Sequence, residues 1–382
     1  MKKTLSLLLV LCLILTLTFS AFAGEAHKLN DISAELDSTV AYLTNGVTAY
    51  TVDSAVNYYY LSNVSNKADS YFDGFLQDVI DNLEAHDGKI IPSFGENENI
   101  VTYAAIISIL DRFDKDVSDI NGVNLVDLMK NTPVSTISEP YYYDIVIPTA
   151  ASFCDKEFTV NICNEFIANN YTMGSGLYYY GFSCDNTAMF ISAISQSGCG
   201  CYDEVLEDAM AVLDTYKVEG GYCYSPEYGT DANADSTALA LKAKSAYFLS
   251  HEATEEDMAD LAELYGKLLT FKGETTGSYT YAGAESAYAA FDALRGIEMY
   301  YALVSLEETP DAPDDNNDGN TVENGESGNN ENKNENQEQN NHENKNDVVI
   351  PNTDSAQTLA IFVITAFSAL TAASISLRKK ED

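Results

Sequence analysis

Between positions 30 and 304 the apolar residues recur at intervals of three and four, the spacing that lines up one face of an α-helix. These stretches predict helices at 31–45, 52–64, 67–85, 98–113, 123–131, 144–153, 157–170, 185–197, 202–217, 235–250, 255–270 and 285–304. Nowhere does the pattern show the period-two alternation of a half-buried strand. Asp53-Ser54, Asp185, Asp235 and Glu285 stand at helix starts, and Thr254-Glu255-Glu256-Asp257 puts acid into a first turn, where the helix dipole favours it. Gly174-Ser175-Gly176, Gly198 to Gly200, Gly220-Gly221 and Gly273 punctuate the runs between. The expected class is all-α, over a domain spanning 25–306.

Superimposed on the helical pattern is a longer repeat. Asp185-Asn186-Thr187-Ala188, Asp235-Ser236-Thr237-Ala238 and Glu285-Ser286-Ala287-Tyr288 are spaced by 50 residues. Ahead of them stand Gly176-Leu177-Tyr178-Tyr179-Tyr180, Gly221-Tyr222-Cys223-Tyr224 and Gly277-Ser278-Tyr279-Thr280-Tyr281. A fixed period of this length is one helix pair copied and stacked, because a single copy cannot bury its own apolar face. About a dozen helices in alternating pairs suit a two-layer ring. The run Gly220-Gly221-Tyr222-Cys223-Tyr224, then Ala234-Asp235-Ser236-Thr237-Ala238-Leu239-Ala240-Leu241-Lys242-Ala243, resembles a repeat of the prenyltransferase/squalene-cyclase superfamily. The resemblance covers 174–304 well and leaves only traces near 94–109 and 141–153. It implies an α/α toroid, with inner helices forming a barrel, outer helices surrounding it and ligands entering one mouth. Transcobalamin-like corrinoid binders and complement-type thioester domains share that architecture.

The chemistries of these relatives find no support in the residues. Terpene cyclisation needs a strong acid, which the cyclases supply as Asp-x-Asp-Asp; the body has no such cluster, and Asp314-Asp315 fall in the spacer. Prenyl transfer needs zinc, and no Cys or His follows Asp235 or Glu285 where the family's ligands would stand. Gly198-Cys199-Gly200 opens a thioester motif, but position 202 is Tyr where a glutamine must supply the acyl group. Ligand capture is left as the expectation. Asp185, Asp235 and Glu285 should share one rim of the ring, with Tyr178, Tyr180, Tyr222, Tyr224, Tyr279 and Tyr281 beside them. Carboxylates next to aromatic rings hold a cation, a sugar or a polar ring system. The competing reading makes each acid a helix cap and each tyrosine turn packing. An adhesive surface protein and a carboxylate-dependent polysaccharide-acting enzyme are the alternatives to a non-catalytic binder of a small molecule or glycan.

The ends set location. Lys2-Lys3, the apolar run Leu5 to Phe19 and Ala21-Phe22-Ala23 form a signal peptide over 1–23. Ala356 to Leu377 is uncharged for 22 residues, long enough to span a bilayer, and Arg378-Lys379-Lys380 follow. Ile350-Pro351-Asn352-Thr353-Asp354, the span and the basic tail together resemble the sorting signal of Gram-positive wall-anchored proteins. That resemblance implies sortase cleavage after Thr353 and linkage to peptidoglycan, with departures at Ile350 and Asp354. Segment 350–382 is thus read as sorting motif, transmembrane helix and tail. Residues 307–348, with 13 Asp/Glu, 13 Asn and two Lys, read as a disordered stalk. Asp314-x-Asn316-x-Asp318-Gly319 starts a calcium loop that lacks its closing carboxylate at Gly325.

Charge narrows the partners. A net −39 excludes nucleic acid, whose phosphates such a surface repels. Tryptophan is absent and tyrosine numbers 26, so ring stacking on any ligand falls to tyrosine. Six cysteines follow the signal peptide and allow 15 disulfide pairings; Cys184, Cys199, Cys201 and Cys223 lack the spacing of a zinc site. No cofactor motif is present.

Overall fold

The computed structural model describes residues 29–93 and 97–307. The signal peptide, the spacer beyond residue 307, Pro351 and Thr353 of the sorting motif and the apolar span 356–377 lie outside the described residues. Among the described residues no helix is long and apolar enough to cross a membrane.

Among the described residues twelve α-helices follow one another: α1 Leu29–Leu43, α2 Ala55–Val64, α3 Phe72–Ala85, α4 Ile100–Arg112, α5 Leu125–Asn131 and α6 Tyr143–Phe153, then α7 Lys156–Asn170, α8 Cys184–Ser195, α9 Asp203–Asp214, α10 Ala234–Ser250, α11 Glu255–Leu269 and α12 Ala287–Glu307. Each matches an expected helix, with bounds within three residues except at the start of α3. There, residues 66–71 wind as a 3₁₀ turn before Phe72. Short polar side chains set the starts by accepting backbone N–H groups that a helix leaves unpaired. Asn99 accepts from Val101, Asn124 from Asp127 and Asp155 from Phe158, while Thr254 and Asp257 close a reciprocal capping box on α11.

The even-numbered helices form the inner layer. α2, α4, α6, α8, α10 and α12 pack against one another in that order, and α12 returns to contact α1 and α2. Outer helices α5, α7, α9 and α11 lie against α4, α6, α8 and α10. Burial follows this arrangement: ten of the thirteen residues of α4 are buried, against five of the fifteen in α11. α10 and α12 approach closely where a Cβ at Gly296 would strike the Ala238 carbonyl, and Ala238, Ala289, Ala290 and Ala293 are all buried. The return is sealed by Glu35 of α1, which accepts a hydrogen bond from Tyr279 Oη at 2.8 Å and pairs with Lys272 Nζ at 2.5 Å.

The expectation of no strands needs correction. Three short antiparallel hairpins stand between outer and inner helices: β1 Tyr171–Thr172 with β2 Gly176–Leu177, β3 Lys217–Val218 with β4 Gly221–Tyr222, and β5 Tyr279–Tyr281 with β6 Ala284–Ser286. Strands of two or three residues are too short for alternation to show. In the first two hairpins the glycine of the repeat has a physical cause. Gly176 and Gly221 adopt φ of 95° and 144°, and a Cβ on either would collide with the hydroxyl of Thr187 or Thr237 in the following helix. Thr237 Oγ1 in turn accepts the Tyr222 N–H at 3.1 Å. The repeat therefore records a hairpin locked onto the first turn of its inner helix. Gly221→Ala should lower unfolding free energy by about 2–4 kcal/mol in urea titrations, the sum of backbone strain and overpacking.

Candidate functional site

The first turns of α8 and α10 carry Asp185 and Asp235 at equivalent second positions. Neither is a cap. Ser183 and Asn233 perform that task, accepting the N–H groups of Asn186 and Ser236 at 3.2 and 2.9 Å. The two carboxylates are left to face the end of the inner layer. Asp185 Oδ1 accepts the Ser236 hydroxyl at 2.6 Å, tying α8 to α10, and Asp235 Oδ1 is buried without a hydrogen-bond partner among the described residues. Asp292, from the second turn of α12, acts on both electrostatically. Burial, then the neighbouring carboxylates, push Asp185 and Asp235 up to about 7.

Glu285 does not join them. α12 begins at Ala287, so Glu285 falls in β6, opposite Thr280. Its carboxylate accepts Thr275 N–H at 2.7 Å and Thr275 Oγ1 at 2.9 Å, which holds its pKa below the ordinary glutamate value and staples an exposed turn. The corresponding second position of α12 is Tyr288.

The six tyrosines divide by burial. Tyr222 and Tyr279 are fully buried, their hydroxyls donated to Asp214 at 3.1 Å and Glu35 at 2.8 Å; they pack the hairpins and offer no ring face outward. Tyr178, Tyr180 and Tyr224 are exposed in the loops leading into α8 and α10, and Tyr281 is exposed at the end of β5, ahead of α12. Phe182, Tyr228 and Tyr288 extend the same series, which sequence reasoning missed although each lies just ahead of an inner helix or at its first turn. Tyr180 and Tyr288 are 87% and 83% exposed, far beyond the usual fate of an aromatic ring. Tyr180 also holds a left-handed backbone, φ 55°, while the Asn186 amide donates to the carbonyls of Tyr179 and Gly181 on either side. Tyr178 meets Phe182 edge-on at 5.2 Å, and Tyr224 tilts toward Tyr228 at 6.0 Å.

Below the carboxylates the inner layer is closed by an ion cluster. Asp144 of α6, 2% exposed, accepts from Lys242 Nζ of α10, from Arg295 Nη2 of α12 at 3.0 Å and from Ser192 Oγ of α8 at 2.7 Å. Arg295 Nη1 donates to Asp292 at 3.1 Å, and its guanidinium lies 4.7 Å from the ring centre of Tyr60 on α2. Burial alone would raise Asp144; the Lys242 and Arg295 charges outweigh it and hold the carboxyl below the ordinary aspartate value. Glu298, one turn beyond Arg295, is pushed up to about 7 by burial. Ser192, Lys242 and Arg295 are each the ninth residue of their helix, the register that lets them converge. Their sequence signal was a lone charge inside an apolar run, as in Leu239-Ala240-Leu241-Lys242-Ala243.

All six described cysteines are free thiols, and among the described residues no group of three or more His, Cys, Asp or Glu is arranged to hold a metal ion. No protein-family model and no curated protein sequence matches this chain. Among solved structures it is similar to a polysaccharide lyase, with a TM-score of 0.54 at 12% sequence identity, over 74% of this chain and 99% of the lyase chain. At that identity the likeness speaks for the shared helical fold.

Two outcomes follow from the charges. Asp144→Asn leaves Lys242 buried without its anion and Arg295 with Asp292 alone, and should lower unfolding free energy by about 3–5 kcal/mol in chemical denaturation. Asp235 has a folded value near 7, above the ~3.9 of an unfolded aspartate. Its favourable contribution is complete below the unfolded value and lost as pH rises through 7. Asp235→Asn should therefore be more stable than the parent at pH 8, by on the order of 1–2 kcal/mol, with the gap closing toward pH 4. Melting curves across that range read both the sign and the closure.

Proposed function

We propose that this chain is a non-catalytic glycan-binding protein held at the outer face of a Gram-positive cell, its twelve helices arranged as a closed α/α toroid. Its binding face is the tyrosine rim formed by Tyr178, Tyr180, Phe182, Tyr224, Tyr228, Tyr281 and Tyr288. The observation that carries the reading is the contrast within one motif: Leu177, Tyr222 and Tyr279 are spent on packing, while Tyr178, Tyr180, Tyr224 and Tyr281, one to three residues on, stay exposed. Sugar rings offer a C–H face that stacks on such phenol rings, and their hydroxyls suit the carboxylates of Asp185 and Asp235 beneath. The fold shared with a polysaccharide lyase supports a carbohydrate ligand. Charge narrows the sugar. The partly ionised carboxylates at the mouth, in a chain of net −39, favour neutral or amino-sugar chains and repel uronate polymers. The signal peptide and sorting-signal resemblances, with sortase and peptidoglycan as partners, support the location.

A second reading draws on one specific observation: Asp235 combines a value near 7 with an oxygen lacking a partner, which suits a proton donor in a polysaccharide-acting enzyme. Release of reducing ends, or ultraviolet absorbance from an unsaturated uronate, on incubation with polysaccharides would establish it in place of simple binding.

Calorimetric titration of the full-length chain with chito-, cello- and polygalacturonate oligosaccharides separates these outcomes. Binding of a neutral or amino-sugar oligomer is expected, with Tyr180→Ala and Tyr288→Ala each weakening it about tenfold, roughly 1.4 kcal/mol. Affinity unchanged in both variants, or no binding across the panel, would reject the tyrosine rim as a glycan site.

A further inference from the structure

We propose that the cleft between α11, α10 and the β3–β4 hairpin binds a phosphate group that keeps a proton, as the free ion or a monoester, and rejects sulfate. Its lining brings together Lys217 of β3, Lys244 of α10 and Lys267 of α11, with Tyr222 of β4 and with Asp260 and Glu263 of α11. Asp260, Glu263 and Lys267 are spaced by three and four residues, so they share one face of α11. The cleft has no residue in common with the tyrosine rim and does not rest on the glycan reading.

Charge is layered within it. Lys244 pairs with Asp214 at 2.8 Å and Lys267 with Glu263 at 2.7 Å, and in each pair the lysine is the less exposed partner, 14% against 54% and 27% against 66%. Lys217 lies 3.7 Å from Asp260, beyond hydrogen-bond length, with both side chains about half exposed. Three cations from three elements thus converge in a chain of net charge −39, two of them set deeper than their carboxylates. An ammonium carries three donors, and one carboxylate does not occupy them all. Pairs this exposed hold each other weakly, so a better acceptor can share or replace the partner.

The preceding repeat shows that the fold does not need these charges. There Tyr171 and Asp208 hold the places of Lys217 and Asp260, the first residue of the hairpin and the sixth of the outer helix, and join by a hydrogen bond of 2.7 Å. Ile194 stands for Lys244 at the eleventh position of the inner helix, and Ala211 for Glu263 at the ninth of the outer one. α9 ends before the place of Lys267. The same hairpin and helix pair assemble there without a lysine at any of these positions.

The number and kind of groups select the ligand. A flat carboxylate offers two oxygens, whereas a tetrahedral anion offers one to each of three ammonium groups, which act on it as point charges. The carboxylates at the opening then discriminate. Inorganic phosphate, and a monoester near or below its second pKa of about 6, keep a proton to donate to Glu263 or Asp260. Sulfate has none and meets only repulsion there.

Calorimetric titration of the full-length protein at about pH 6 and about 0.15 M sodium chloride, where distant acids are screened, uses inorganic phosphate, glycerol phosphate and sulfate as probes. Phosphate is expected to bind at least about tenfold more tightly than sulfate, the gain from one charge-assisted hydrogen bond. Glycerol phosphate separates the two sources: its binding shows that the cleft accepts an ester, and its failure beside phosphate binding shows a site for the free ion. Lys217→Ala and Lys267→Ala should each weaken phosphate about tenfold. Asp260→Asn with Glu263→Gln should erase the preference over sulfate. Lys130→Ala, which breaks an exposed pair with Asp155 on another face, should leave affinity unchanged. No phosphate binding by the wild type, sulfate binding as tightly as phosphate, or affinity unaltered in both lysine variants would each overturn the assignment. The wild-type comparison of the two anions decides the matter even where a variant does not fold.

Discussion

A single carboxylate in a dry place governs how these helices can meet. Asp144 is out of reach of water, so its charge must be matched by the protein, and Lys242, Arg295 and Ser192 match it from three other inner helices. Apolar packing tolerates sliding and rotation because it has no preferred direction; a buried ion cluster does not. With the ninth residues of α8, α10 and α12 obliged to converge on α6, the relative heights of four inner helices are fixed. Tyr60, beside the Arg295 guanidinium, extends the constraint to α2. Pro148 on α6 contributes locally. It has no N–H to offer the carbonyl four residues earlier, that of Asp144, which loosens the backbone next to the anion.

Above this cluster the chain treats chemically similar residues in opposite ways. Tyr222 and Tyr279 lie in hairpin strands with their rings buried, and a carboxylate takes up each hydroxyl. Tyr224 and Tyr281 follow two residues on and are exposed, as are Tyr178 and Tyr180 just after the buried Leu177 of β2. The same separation holds for the acids: Glu285 is consumed by a turn, whereas Asp185 and Asp235 are relieved of capping by Ser183 and Asn233. A side chain is left free of a structural task where a neighbour has already met the local need, as Ser183 and Asn233 do for Asp185 and Asp235.

The helices were legible because their signals are local and long: apolar periodicity over ten or more residues, bounded by caps and glycines. The hairpins were not, since two-residue strands have no period. The third copy of the repeat misled for a related reason. Glu285 keeps the 50-residue interval, but α12 starts at Ala287, so the interval tracked sequence likeness and lost the helix register by three positions. Asp185 and Asp235 were correctly seen as equivalent and wrongly suspected of capping, a distinction that rests on which of two adjacent polar residues takes the N–H groups. Lys242 and Arg295 lie 98 and 151 residues from Asp144, and only the packing of the inner helices reveals that these charges belong together.

Glu35 bonds to Lys272 and Tyr279 across 237 and 244 positions of chain. Contacts of such range can form only after nearly the whole domain has left the ribosome, and loop-closure entropy makes them slow to form. Until then the growing polypeptide has an open flank, where α1 and α2 await a partner not yet made. Folding is thus tied to completion of synthesis, and an arrested or clipped chain would present a sticky apolar edge of the kind chaperones and proteases recognise.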